Sequence, residues 1–363
     1  MLALLEPLVL AESPSSDPAA QDLMFAILGA HFRRLGWRSL RIAGRQTGGS
    51  LLTRSRQRGP AQLVVAHVDT VWPHGTLATQ PFRVTGDRVY GPGTFDTKAG
   101  LVQLICALRA LHDLALTPPL TPVVFLNSDE EIGSPESRPA LERLAKVVRR
   151  AWVLEPSWGP KGALKTGRKG VGKFVVHIRG KAAHAGLEPD AGVSATHELP
   201  AVIDGALALA DPDAGVLINI GQVEGGTRPN VVAATARVVI DVRVHTAHQA
   251  AQVEAGLVAL RPRNAAAHLS LEGGFLRPPM ERDARTARLF AAARGLALEL
   301  GFELGEITAG GGSDGNTTHR FTPTLDGLGA VGEGAHAAHE HVRATEMVRR
   351  SALLAGLLLS DVG

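Results

Sequence analysis

The hydrophobic pattern of this chain changes character along its length. Short continuous apolar runs, Leu63-Val64-Val65-Ala66, Pro122-Val-Val-Phe-Leu-Asn127 and Ala151-Trp-Val-Leu154, read as buried strands. Amphipathic spacing around them predicts helices over residues 22–35, 101–111 and 139–150. Strands of this kind, alternating with helices, imply a largely parallel sheet covered on both faces. From about Gly170 the texture shifts. Residues 171–178, 216–221, 231–244 and 268–272 read as strands, and 199–209 and 247–260 as helices. That β-α-β-β-α-β order is ferredoxin-like. Helical periodicity returns at 283–300 and, beyond Gly310-Gly311-Gly312, at roughly 346–359. The expected fold is α/β: a mostly parallel-sheet domain from residues 1–168 and 277–363, interrupted by a smaller α+β domain over 169–276.

Composition narrows the function classes. The 363 residues are 45% hydrophobic and 20% charged, with a net charge of +3, as in an ordinary globular protein. No basic stripe interleaved with aromatics is present, so nucleic acid is not an expected partner. The one cysteine, Cys106, excludes an intrachain disulfide and reads as a buried thiol in an apolar helical stretch. No apolar run reaches membrane-spanning length. The opening Met1-Leu-Ala-Leu-Leu-Glu-Pro-Leu-Val-Leu10 lacks a basic start and carries Glu6 and Pro7. A cytoplasmic protein with no membrane partner is therefore expected.

Polar residues gather where the apolar runs end. In doubly covered sheets, chemistry collects beyond the carboxyl ends of the strands. His67-Val68-Asp69, Asp129-Glu130-Glu131 and Glu155 all follow such runs. A strand ending in His-x-Asp puts both side chains on one face, where the carboxylate can fix the tautomer of a metal-binding imidazole. Asp96 lies in the glycine-bracketed loop Gly91-Pro-Gly-Thr-Phe-Asp96-Thr-Lys-Ala-Gly100, which also suits a helix N-cap. Adjacent acids such as Glu130 and Glu131, placed after an apolar strand, need a cation or a shared proton. His336 follows in Gly332-Glu-Gly-Ala-His336-Ala-Ala-His-Glu340-His. Imidazoles and carboxylates of this number suit two zinc ions, with one glutamate left as a general base.

These motifs, in this order, resemble the cocatalytic zinc peptidase and deacylase family that contains glutamate carboxypeptidase, acetylornithine deacetylase, succinyl-diaminopimelate desuccinylase and aminoacylase. The likeness spans nearly the whole chain. It is carried by His67-Val-Asp69-Thr-Val71, Gly93-Thr-Phe-Asp96-Thr-Lys98-Ala-Gly100 and Asp129-Glu130-Glu131-Ile-Gly133. Leu154-Glu155-Pro156-Ser157, Gly310-Gly-Gly-Ser-Asp-Gly-Asn316 and Pro323-Thr-Leu-Asp-Gly-Leu-Gly329 point to the glutamate carboxypeptidase branch. The resemblance implies a zinc-peptidase catalytic domain with an inserted lid and dimerisation domain. It implies that Asp96 bridges two Zn2+ ions and precedes a cis peptide to Thr97, that His67 and Glu155 hold one ion, and that Glu131 and His336 hold the other. Cobalt or manganese are alternative metals. Asp69 would orient His67. Glu130 would take a proton from a water shared by the metals and deliver it to the leaving amine.

His336 departs from the family in being followed by Ala337, with His339 and His341 close by. Gly334-Ala-His336 and Glu340 four residues on favour His336, with His339 as the alternative. In the insert, Gly180-Lys-Ala-Ala-His184-Ala-Gly186 matches a histidine that stabilises the oxyanion, often across a dimer. Arg277 matches a substrate-carboxylate arginine, a role suited to its planar fork. Asn230 matches a second substrate contact, and Gly312 lies in a turn that presents backbone N–H groups. The expected substrate is a small peptide or N-acyl amino acid that releases a C-terminal residue, foremost glutamate. An N-acyl amino acid deacylase is the alternative enzyme, and a catalytically silent peptide-binding relative the third reading. A homodimer through the lid is the expected assembly.

Overall fold

The computed structural model describes residues 1–362. The chain divides into two compact units. The first comprises Met1–Gly167, Arg282–Ala309 and Ser313–Gly363; the second comprises Arg168–Glu281 and Gly310–Gly312.

The first unit is built on a six-stranded sheet in the order Arg38–Ile42, Ser50–Arg54, Thr121–Asn127, Ala61–His67, Ala151–Val153, Thr324–Leu325. Ala61–His67 is central, pairing in parallel with Thr121–Asn127 on one side and Ala151–Val153 on the other. Its apolar run is continuous because alternate residues enter different cores. Val64 and Ala66 join Val124, Leu126 and Trp152 in one cluster, while Leu63 and Val65 join Val123, Phe125 and Val153 in another. A strand buried on both faces cannot show the polar alternation of a half-exposed one.

Several elements differ from expectation. Two further strands, Arg38–Ile42 and Ser50–Arg54, pair antiparallel at one edge, so that side of the sheet is mixed. The outermost strand is exposed and carries Arg38 and Arg41, the charged character that protects an open edge. The first ten residues contain a helix, Leu2–Leu10, with Leu5, Leu8 and Val9 in the main core. The next helix starts at Pro18, because Asp17 accepts from the N–H groups of Ala19 and Ala20 and caps it. The helix expected over 139–150 is shorter, Arg138–Ala145. Beyond it, the Arg150 side chain is buried and donates to the carbonyls of Leu357, Ser360 and Val362. It thus ties the end of the helix Ala344–Leu359 to the central sheet.

A second, smaller sheet in this unit orders Gly332–Glu333, His341–Arg343, Arg88–Tyr90 and Arg83–Thr85. Its pairing of His341 with Tyr90 brings the loop of His336 to the loop of Asp96 from far apart in sequence.

The second unit is a four-stranded antiparallel sheet, Leu217–Gly225, Thr235–Val244, Gly170–Arg179, His268–Arg277. Phe174, Val176, Ile178, Val238, Ile240 and Val242 form its core with Val202 and Ala206 of helix Leu199–Leu207 and Val253 and Leu257 of helix Ala247–Val258. The β-α-β-β-α-β order is as expected. The third strand starts at Thr235 rather than 231, since Val231 bridges to His184 instead.

Candidate metal centre

The three adjacent parallel strands end at His67, Asn127 and Val153, and the chain then delivers His67, Glu130, Glu131 and Glu155 to one place. The metal-ligating atoms of His67, Glu130 and Glu155 all lie within 4.8 Å of one another, as do those of His67, Asp96 and Glu131. Asp96 sits between two imidazoles. Its Oδ1 is 3.1 Å from His67 Nε2 and its Oδ2 is 3.4 Å from His336 Nε2. Glu155 Oε1 lies 3.5 Å from His67 Nε2, and Glu131 Oε2 lies 3.2 Å from His336 Nε2. The structure therefore groups His67, Asp96, Glu130, Glu131, Glu155 and His336. His336 has a left-handed backbone, φ 61°, a conformation that non-glycine residues adopt rarely and mostly at sites that require it. His339 contributes its carbonyl to His341 Nδ1.

The electrostatics mark a place for positive charge. Burial drives the Glu131 carboxyl up to about 7, and the hydrogen bond with His336 only partly offsets this. Burial acts the same way on Asp96, yet hydrogen bonds from His336 and His67 hold it far below the carboxylate range. His336 is raised to about 10 by its bonds with Asp96 and Glu131. For His67, burial opposes the charge, but Asp69, Asp96 and Glu155 raise it well above its ordinary value. Buried carboxylates need a counter-charge. The two imidazoles lie against these carboxylates, and divalent cations would supply the counter-charge more fully. Glu131 Oε1 is buried without a hydrogen-bond partner among the described residues. An orphaned acceptor in a nitrogen and oxygen donor set of this size fits metal ions of zinc type.

Asp69 is fully buried and holds several parts of the site at once. The His67 Nδ1–H donates to the Asp69 carbonyl at 3.0 Å, with Asp69 Oδ1 at 3.4 Å. The Asp69 carboxylate accepts from the N–H groups of Glu130 and Glu131 at 3.3 and 3.2 Å. Ser15 donates its hydroxyl to Asp69 Oδ2 at 2.7 Å, and Ser13 donates to the Val68 carbonyl. Glu340, also buried, cradles the Asp96 loop. Its carboxylate accepts from the N–H groups of Gly93, Phe95 and Asp96 and from the Trp72 indole. Gly93 is required there, with φ 72° and a Cβ position that would fall 2.6 Å from Thr70 Cγ2. The Asp96–Thr97 peptide is cis. Asp129 accepts from the N–H groups of Glu136 and Ser137, so it shapes the turn after the two glutamates. Sequence reasoning missed Ser15, which is 54 positions from its partner. It gave Glu340 no role of its own.

The candidate substrate residues lie in the second unit. His184 occupies an exposed turn where its Nδ1 accepts from the N–H groups of Gly186 and Leu187, each at 3.1 Å. Its proton therefore sits on Nε2, and that nitrogen is a donor. The Asn230 carbonyl accepts from the Ala185 N–H, tying its turn to that of His184. Arg277 is buried at the end of the last strand, beside a bulge at Phe275. Gly312 follows Gly311, whose carbonyl accepts from Arg168 Nη1.

Residues 63–360 match the model of peptidase family M20/M25/M40. The chain is 29% identical to carboxypeptidase G2 of Pseudomonas sp. (strain RS-16) over 378 aligned positions, covering 99% of this chain and 88% of that protein. It is 28% identical to acetylornithine deacetylase of Myxococcus xanthus, covering 81% and 78%. Among solved structures, the fold matches the YXEP protein of Bacillus subtilis, a dinuclear metal-binding peptidase of the M20 family. The TM-score is 0.70 at 16% identity, covering 100% of this chain and 99% of that one.

Proposed function

The chain belongs to peptidase family M20/M25/M40, and on that premise we propose that it is a dizinc hydrolase cleaving the amide bond before a free C-terminal amino acid, foremost glutamate. The observation that carries this reading is Asp96, with one oxygen toward His67 and the other toward His336. A carboxylate between two imidazoles, flanked by Glu155 and Glu131, is the donor arrangement for a metal pair. His67 and Glu155 would hold one ion, Glu131 and His336 the other, with Asp96 shared. Zinc bound there supplies Lewis acidity to the scissile carbonyl and to the attacking water.

The protein's own groups do the rest. Glu130 takes the proton of the attacking water and delivers it to the leaving amine. Asp69 fixes the tautomer of His67 and anchors the backbone of Glu130 and Glu131. His184, with its proton held on Nε2, donates to the developing oxyanion. Arg277, Asn230 and the Gly312 turn recognise the substrate's carboxylate. The antiparallel sheet of the second unit serves as lid and as the surface of a homodimer. The likeness to carboxypeptidase G2 over 99% of the chain supports the carboxypeptidase reading. The likeness to acetylornithine deacetylase supports a second one, in which the same centre removes an acyl group from an amino acid.

Metal-loaded protein assayed against N-acyl amino acids, dipeptides and glutamate conjugates separates the two. Glutamate conjugates should have the highest kcat/KM; preference for acetylated amino acids regardless of side chain would establish the deacylase instead. Glu130→Gln should lower kcat by at least about 10²-fold with metal content unchanged, and unaltered turnover would sink the mechanism.

A further inference from the structure

We propose, on the amide-hydrolase reading, that Asp314 is a positioning residue: its one carboxylate sets the geometry of Glu130 and Glu131 by holding both ends of the turn that carries them. That turn leaves strand Thr121–Asn127 at Asn127 and closes at Ser134. Asp314 Oδ2 accepts from Asn127 Nδ2 at 2.6 Å, and Asp314 Oδ1 accepts from the Ser134 hydroxyl at 2.5 Å. All three residues are buried. Short hydrogen bonds to a carboxylate in such a setting are stronger than neutral ones and fix direction as well as distance.

The two bonds act on opposite ends of one short segment. At the first end, Asn127 lies in register with His67, and its carbonyl accepts from the Val68 N–H at 2.8 Å. At the second end, the Ser134 N–H donates to the Asp129 carbonyl at 2.7 Å, and Ser134 has a left-handed backbone, φ 56°. A serine keeps that conformation only where its surroundings impose it, and the Asp314 carboxylate is the group its hydroxyl meets. Between the ends, the N–H groups of Glu130 and Glu131 rest on Asp69. Other acids thus pin the middle and the ends of the turn, which leaves the two glutamate side chains for proton transfer and metal.

Asp314 is itself anchored. It opens the helix Asp314–His319, which is buried at every residue. Ser313 and Asn316 cap that helix reciprocally, and the Ser313 hydroxyl donates to Asp326 Oδ2 at 2.6 Å. Gly315 admits this close approach, since a Cβ there would fall 2.5 Å from Asp326 Oδ2. The groups that could hold a metal ion do not include Asp314. The Ser313-Asp314-Gly315 part of the glycine-rich motif therefore acts on the glutamates through their turn rather than as a ligand.

The test uses the full chain loaded with zinc and the variant Ser134→Ala, which removes one of the two bonds and little else. At matched metal occupancy, kcat should fall about tenfold with KM nearly unchanged. Competition with a chelator should release one ion about tenfold more readily than in the parent and leave the other unaltered. Anomalous diffraction should show the lost occupancy beside Glu131 and not beside Glu155. Asp314→Ala should deepen the same pattern. Asp314→Asn, which can accept from Asn127 and donate to the Ser134 hydroxyl, should recover most of the loss. If the larger cut at Asp314 costs the fold, Ser134→Ala still decides. A kcat per metal-loaded site equal to the parent's in Ser134→Ala, whatever its melting temperature, overturns the proposal. So does equal weakening of both ions. A parent protein that turns over no amide would refute the hydrolase reading, and the chelator comparison would still decide the role of Asp314.

Discussion

The candidate metal centre and the candidate substrate residues are built in opposite ways. In the first unit, His67, Asp69, Glu130 and Glu155 are buried at strand ends, and each is held by others of the group or by Ser15. In the second unit, His184 and Asn230 sit on exposed turns, held through backbone N–H groups and carbonyls. The difference separates two tasks. Chemistry requires ligands fixed to a fraction of an ångström, which interlocking burial supplies. Recognition tolerates loops on a rigid scaffold, where substrate preference can vary without disturbing the reaction. Arg277 stands between the two styles, a recognition candidate that is nonetheless buried.

This comparison can be broken at either end. The largest effect should come from Asp96→Ala, which removes the shared carboxylate. Both metal ions should be lost and activity should fall below detection, with the fold retained by circular dichroism. Retention of two ions would break the account of the first unit. His184→Ala should be next, lowering kcat about 10²–10³-fold if it donates to the oxyanion as proposed, with metal content intact. A matching loss of metal would show that the two styles are not separate. Ser15→Ala comes third. It deprives a buried carboxylate of a hydroxyl donor, at a cost of about 1–3 kcal/mol. It should loosen Asp69 and, with it, both His67 and the Glu130 backbone. The expected signature is a fall in kcat and weaker metal binding with KM little changed, while Ser15→Thr preserves function. Equal loss in both variants would reduce Ser15 to a packing role. Smallest is Arg277→Lys, expected to raise KM about tenfold with kcat nearly unaltered. An effect on kcat alone would remove Arg277 from ground-state recognition.

How much of this was legible beforehand follows the same division. The buried strands announced themselves as apolar runs, and the groups ending them, His67, Glu130, Glu131 and Glu155, could be read from position alone. Asp96 and His336 were candidates from their glycine-rich loops, but which ion each would hold came only from motif resemblance, because the small sheet that joins their loops pairs His341 with Tyr90 across most of the chain. The charged edge strand Arg38–Ile42 escaped notice because its residues are exposed and carry no alternation. Helix Leu2–Leu10 was hidden by Pro7 and by near-uniform apolarity, which gives no face. Ser15 and Glu340 were out of reach. A hydroxyl that supports a distant carboxylate, or a carboxylate that gathers backbone N–H groups, has no local spacing to betray it.

The most direct test of the central claim is the metal arrangement around Asp96. Crystals of zinc-loaded protein, measured on both sides of the zinc absorption edge, should show two anomalous peaks flanking its carboxylate. One should lie against His67 and Glu155 and the other against Glu131 and His336. A single peak, or a second ion held by His339 instead, would contradict the account.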